Sequence, residues 1–126
     1  MANTRISSFH LLYDKTDSSP FILLDINKEI LEITGRAYSD TSTKIINNLA
    51  DKIKELKPNK LNVTIKIDYV NSSSTKALYN LFDSIQNNVD VCEIHWITYV
   101  DDVDSIELGN MFKDAFKLNF IFETYY

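Results

Sequence analysis

Four consecutive hydroxyl side chains, Ser72, Ser73, Ser74 and Thr75, stand between Asn71 and Lys76. A lone hydroxyl is a weak nucleophile, and with no base beside it its ready chemistry is to accept a phosphoryl group. The segment follows the alternating stretch Leu61 to Tyr69 and opens a helical stretch. In open α/β sheets such strand-to-helix junctions, at the carboxyl ends of strands, are where functional groups gather. A helix start also presents free backbone N–H groups and a partial positive charge, worth ~0.3–1 kcal/mol to a phosphate placed there. Lys76, one turn in, could add a charge-assisted contact. Asn and Ser are at the same time preferred helix caps, so one of these residues is expected to cap while a neighbour points outward.

Other residues permit other chemistry on paper. Ser73, His95 and Asp68 could be arranged as a hydrolase triad, but there is no Gly-x-Ser-x-Gly elbow and no glycine-rich oxyanion loop. Asp101, Asp102 and Asp104 could attract a hard cation, yet they lack the glycine and terminal glutamate of an EF-hand loop. A solvated acidic loop open to partner recognition is the preferred reading. Cys92, the sole cysteine, allows no internal disulfide and lies in an apolar stretch, as a buried structural thiol would. Nothing calls for a cofactor or a metal.

The elements that must position these groups follow from periodicity. Phe21 to Leu24 and Glu29 to Ile33 flank Asp25-Ile26-Asn27-Lys28, which predicts a hairpin ended by Gly35. Asp40 to Thr43 offers caps for a helix whose apolar face carries Ile45, Ile46, Leu49, Ile53 and Leu56, and Pro58 stops it. Leu61, Val63, Ile65, Ile67 and Tyr69 alternate with polar residues, which predicts a strand with one apolar face. Ala77, Leu78, Leu81, Phe82 and Ile85 mark a second helix. Val91 to Tyr99 reads as a strand with Cys92, Ile94 and Trp96 on one face and Tyr99 on the other. Leu108, Met111, Phe112 and Ala115 mark a third helix, and Phe120 to Phe122 a last strand.

The expected fold is therefore a single-domain α/β structure, a mixed β-sheet with three amphipathic helices mainly on one face. Residues 1–18 read as a polar leader that could add an edge strand, and residues 19–126 as the domain itself. The length of 126 residues suits one domain. A net charge of -5 without a basic cluster argues against nucleic acid. No run reaches the ~18 apolar residues of a membrane span, and Met1 to Phe9 lacks the apolar core of a signal peptide, so a cytoplasmic location is expected.

Tyr69-Val70-Asn71-Ser72-Ser73-Ser74-Thr75-Lys76 resembles the Tyr-x-Asn-Thr-Ser-Ser-x-Lys motif of the SiaC family of regulatory phosphoproteins. Ser19-Pro20, Gly35-Arg36-Ala37-Tyr38, Trp96-Ile97-Thr98-Tyr99 with Asp101, Asp102 and Asp104, then Gly109, Phe112 and Phe120, fit that family in order. The resemblance implies a fold similar to STAS-type anti-anti-sigma factors and a non-enzymatic partner-switching role. A serine/threonine kinase would phosphorylate the chain, a phosphatase would restore it, and the unmodified form would bind and activate a diguanylate cyclase. The family's modified threonine falls on Ser72, with Ser73 as the alternative acceptor. Arg36, Tyr38, Asn71, Ser73, Ser74, Lys76, Tyr99, Asp101 and Asp102 would then form the partner-binding surface. The runner-up is a STAS-type domain binding a small ligand or nucleotide.

Overall fold

The alternation read from Leu61 to Tyr69 is a strand running from Lys60 to Val70, and it lies inside a seven-stranded sheet. A computed structural model describes residues 4–6 and 10–126. Its elements are β1 (Thr4–Ile6), β2 (His10–Tyr13), β3 (Phe21–Asp25), β4 (Ile30–Ala37), α1 (Asp40–Leu56), β5 (Lys60–Val70), α2 (Ser72–Asn88), β6 (Val91–Tyr99), α3 (Val103–Ala115) and β7 (Asn119–Tyr125). The strands lie side by side in chain order. From β1 to β4 neighbours are antiparallel, as hairpins require, and from β4 to β7 they are parallel, each pair joined through a helix.

One face of the sheet carries the core. Leu31 and Ile33 of β4, Leu61, Val63, Ile65 and Ile67 of β5, and Ile94 and Trp96 of β6 are buried there. The helices cover that face with Ile46, Leu49 and Ile53 from α1, Leu78, Leu81, Phe82 and Ile85 from α2, and Phe112 from α3. Phe82 is the hub. Its ring lies 4.8 Å from that of Phe112, 5.3 Å from Phe120 and 6.5 Å from Trp96, centroid to centroid. Fully burying one such side chain is worth about 1.5–3 kcal/mol. Among the described residues, no helix covers the opposite face of the sheet. That face shows Thr34, Lys66, Asp68, His95, Tyr99 and Glu123.

Several boundaries differ from the sequence reading, each for a local reason. β2 lies between β1 and β3, not at the edge, and puts Leu11 and Tyr13 into the core, so residues 10–13 are part of the sheet. The remainder of the leader reading falls partly outside the described residues. Gly35 does not end its strand. It takes φ +120°, a conformation that only glycine adopts easily, and the register shifts between Gly35 and Arg36 before β4 continues to Ala37. The cap of α1 is Ser39, one residue before the expected stretch. Its hydroxyl accepts from Ser42 N while Ser42 Oγ accepts from Ser39 N, closing a reciprocal capping box. α3 starts at Val103 with Asp102 as its cap, so Asp104 belongs to its first turn and not to a loop. Cys92 is only half-buried at the margin of the core, and desolvation, aided by Glu93, pushes its thiol up to about 12. Such a thiol is inert near neutrality.

Among the described residues no helix is long and apolar enough to cross a membrane.

Candidate functional site

β4, β5 and β6 each deliver the chain from a carboxyl end to a helix start, and being neighbours they bring three junctions together. Ser39, Asn71 and Asp102 cap the three helices. At the central junction the division of labour is visible residue by residue. Asn71 Oδ1 accepts from Ser74 N at 2.9 Å, and the Asn71 carbonyl accepts from both Thr75 N and Thr75 Oγ1. The cap is thus the asparagine, which leaves Ser72 and Ser73 as the first two helical residues, both exposed.

Ser74 behaves differently from its neighbours, and its expected place on a partner-binding surface is corrected. It is fully buried, and its Oγ lies 2.6 Å from Ser42 Oγ and 3.4 Å from Thr43 Oγ1. Ser42 Oγ in turn donates to the Ser39 carbonyl at 2.8 Å, and Ser39 Oγ donates to the Ser18 carbonyl at 3.2 Å. This chain of hydroxyls ties the start of α2 to the start of α1 and to the segment before β3. A rigid platform under Ser72 and Ser73 is the result. Ser74→Ala is expected to leave the fold intact and cost about 1 kcal/mol, the net worth of one buried hydrogen bond, read from a urea unfolding midpoint.

Around that platform the other sequence-predicted residues fall into two groups. Asn71, Ser72 and Asp102 line an open groove of about 560 Å³ between the starts of α2 and α3, together with Asp68, Tyr69, Thr75, Asp104 and Ser105. Arg36, Tyr99 and again Asp102 line an open hollow of about 440 Å³ on the uncovered sheet face, with Lys15, Lys66, Asp68 and Tyr125. Both mix charged side chains with neutral polar and apolar ones. Arg36 Nε stands 4.0 Å from Asp68 Oδ1 across the exposed end of β5. The Tyr99 ring packs against Tyr125 with centroids 4.0 Å apart and planes tilted by 40°, and Lys66 Nζ sits 3.9 Å over the Tyr125 ring. Tyr38 meets Tyr69 edge to face at 5.4 Å. Ser73, Lys76 and Asp101 are exposed and line neither cavity.

Tyr69 itself is a residue that periodicity misplaces. It continues the apolar alternation of β5 yet is 63% exposed, because the register shift beside Gly35 pairs it with exposed Arg36, while Val70, the next residue, packs against the core. Its adjacency to the serines in sequence is the signal that could have assigned it to the site. Exposed Tyr38, Tyr69, Tyr99, Val100 and Val103 all lie at this end of the sheet. An apolar, aromatic cluster of this kind, rimmed by charge, is the usual composition of a protein-binding surface.

His95 is remote from this chemistry. Its Nε2 is 2.7 Å from Glu93 Oε1 and its Nδ1 3.1 Å from Glu123 Oε2, so both ring nitrogens are taken and no relay from Ser73 through His95 to Asp68 exists. Desolvation alone would lower its pKa, but the hydrogen bonds to Glu93 and Glu123 outweigh it and hold the imidazole above its ordinary value. A raised folded pKa stabilises the fold below the unfolded value and loses that contribution as pH rises through the folded one. The stability difference between the wild type and His95→Gln, from urea unfolding, is therefore expected to be larger at pH 6 than at pH 9.

Comparisons with known proteins agree on one relationship. No curated protein matches. Among solved structures, apo-SiaC from Pseudomonas aeruginosa superposes with a TM-score of 0.79 at 20% identity, covering 94% of this chain and 100% of that one. SiaC of Pseudomonas aeruginosa in a second structure gives a TM-score of 0.75 at 22% identity, over 95% of this chain and 100% of that one. The structure of the Pseudomonas aeruginosa diguanylate cyclase SiaD in complex with its activator SiaC gives 0.79 at 20% identity, over 88% and 96%. The family described as SiaC family regulatory phosphoprotein matches residues 13–125, nearly the whole length of the sequence. The chain belongs to the SiaC family of regulatory phosphoproteins.

Proposed function

We propose that this chain is a non-enzymatic switch whose state is written on Ser72 and read by other proteins at the carboxyl ends of β4, β5 and β6. The observation that carries the reading is the separation of roles at the start of α2. Asn71 caps, Ser74 is buried as an anchor, and Ser72 is left exposed on the rim of an open groove. A kinase would transfer the γ-phosphoryl group of ATP to Ser72 Oγ, forming the new P–O bond, breaking the bond to ADP and releasing the hydroxyl proton. A phosphatase would hydrolyse the ester with water and return serine and inorganic phosphate. Ser73, exposed one residue on, is the alternative acceptor.

The effector is a diguanylate cyclase, by analogy with the Pseudomonas aeruginosa SiaC that forms a complex with the cyclase SiaD as its activator. The unmodified form binds it through the exposed aromatic cluster and the flanking Arg36, Lys76, Asp101 and Asp102, in the cytoplasm where the cyclase's substrate and ATP are available. The open, charged cavities suit a protein face better than a small ligand, which calls for a concave, mostly apolar pocket. The test is cyclic dinucleotide synthesis by a diguanylate cyclase of the same organism, assayed with and without the purified chain. Synthesis should rise with the chain present, and the chain alone should make no product from GTP. An unchanged rate with every such cyclase would remove the effector from the proposal.

A further inference from the structure

The groove beside Ser72 contains three carboxylates, Asp68, Asp102 and Asp104, and among the described residues no lysine or arginine lines it. Two of these carboxylates belong to α3. Asp102 caps that helix by accepting from Ser105 N at 3.2 Å, and Asp104 stands in its first turn. We infer that a phosphate on Ser72 acts on the chain itself, loosening the first turn of α3 by repulsion of Asp102 and Asp104. This rests on the reading of Ser72 as the modified residue and specifies how that modification is transmitted.

The physical steps are short. The ester replaces the neutral Ser72 hydroxyl by a group carrying about -1.5 to -2 charges. The covalent bond fixes it to α2, and the positive end of that helix favours its staying there. α2 is firmly seated. It buries seven residues, is joined to α1 through Ser74 and Ser42, and donates from Ser84 Oγ to the Ala50 carbonyl at 2.7 Å. α3 buries only Ser105, Gly109 and Phe112. Its start is held by the Asp102 cap, by Ser105 Oγ donating to the Ile67 carbonyl at 3.3 Å, and by Trp96 Nε1 donating to the Ser105 carbonyl at 2.9 Å. The weaker element yields. As Asp102 and Asp104 retreat from the phosphate, the cap on Ser105 opens and the exposed Val100 and Val103 move with it. The modification then reshapes the partner surface as well as adding bulk to it.

The experiment uses the full chain with phosphoserine installed at position 72 during translation, so that no kinase is needed. Hydrogen exchange is followed at the amides of Ser105 to Leu108, at low salt, beside the unmodified chain. A second pair carries D102N and D104N, which remove both charges while asparagine keeps the cap as well as aspartate does. Phosphoserine is expected to speed exchange at those amides about tenfold or more, with α1 unaffected, because amide exchange reports local opening. In the D102N/D104N chain, or in the wild type at about 1 M salt where charges are screened beyond ~3 Å, most of the acceleration should vanish. Unchanged exchange in the phosphorylated wild type would overturn the inference, and so would an acceleration that survives both neutralisation and salt. A kinase that ignores Ser72 would overturn the reading above and leave this result standing.

Discussion

Ser72→Ala is expected to keep the fold and full effector activation but to be insensitive to the kinase, while Ser72→Asp is expected to weaken effector binding about tenfold, or ~1.4 kcal/mol. The alanine removes only an exposed hydroxyl that makes no hydrogen bond among the described residues, since Asn71 holds the cap and Ser74 the anchor. The aspartate carries one charge where a phosphate carries nearly two, so its effect is a fraction of the real switch. A phosphate that meets bulk, desolvation and repulsion worth ~3 kcal/mol lowers affinity by more than a hundredfold. Binding curves for wild type, both variants and the phosphorylated chain against one cyclase separate these cases. Equal affinities across all four would show that Ser72 lies outside the interface.

Phe82→Ala is expected to cost about 3–5 kcal/mol of stability, a large share of the ~5–15 kcal/mol that a domain usually has. The ring is fully buried and lies between Phe112 of α3, Phe120 of β7 and Trp96 of β6, so its removal leaves a cavity at the junction of three elements. Those neighbours also set where α3 sits relative to α2, which is the geometry of the groove at Ser72. Loss of the ring should therefore lower the urea midpoint and also weaken effector binding at temperatures where the chain remains folded. Phe82→Leu, which fills part of the volume, should recover more than half of the stability. A cost below ~1.5 kcal/mol, the range of volume-conserving swaps, would mean that the core closes over the gap.

Most of the framework was readable before the structure, because it rests on periodicities that burial enforces. The alternation from Leu61 to Tyr69 and the helical spacing of Leu78, Leu81, Phe82 and Ile85 each had one solution, and the strand–helix order then left a mixed sheet with helices on one side. What was not readable depends on contacts between distant residues. Gly35 looked like a stop because glycine often is one, whereas here it supplies a positive φ inside a strand that goes on. Ser74 looked like another surface hydroxyl until α1 placed Ser42 against it. The three aspartates after Tyr99 looked like one loop, but Asp102 is spent on capping α3 and Asp104 on its first turn. Arg36 and Tyr99, expected on the partner surface, line the uncovered sheet face, with Asp102 common to that hollow and to the Ser72 groove, a partition that no linear spacing encodes.

The central claim is that Ser72 is the residue on which the switch is set. Incubation of the purified chain with its kinase and ATP, followed by fragmentation mass spectrometry of the peptide containing Asn71, tests it directly. One phosphate localised to the Ser72 side chain, absent from Ser72→Ala and removed by the phosphatase, is the predicted result. Phosphate confined to Ser73 would move the switch by one residue, and no phosphate on Ser72, Ser73, Ser74 or Thr75 would contradict the account.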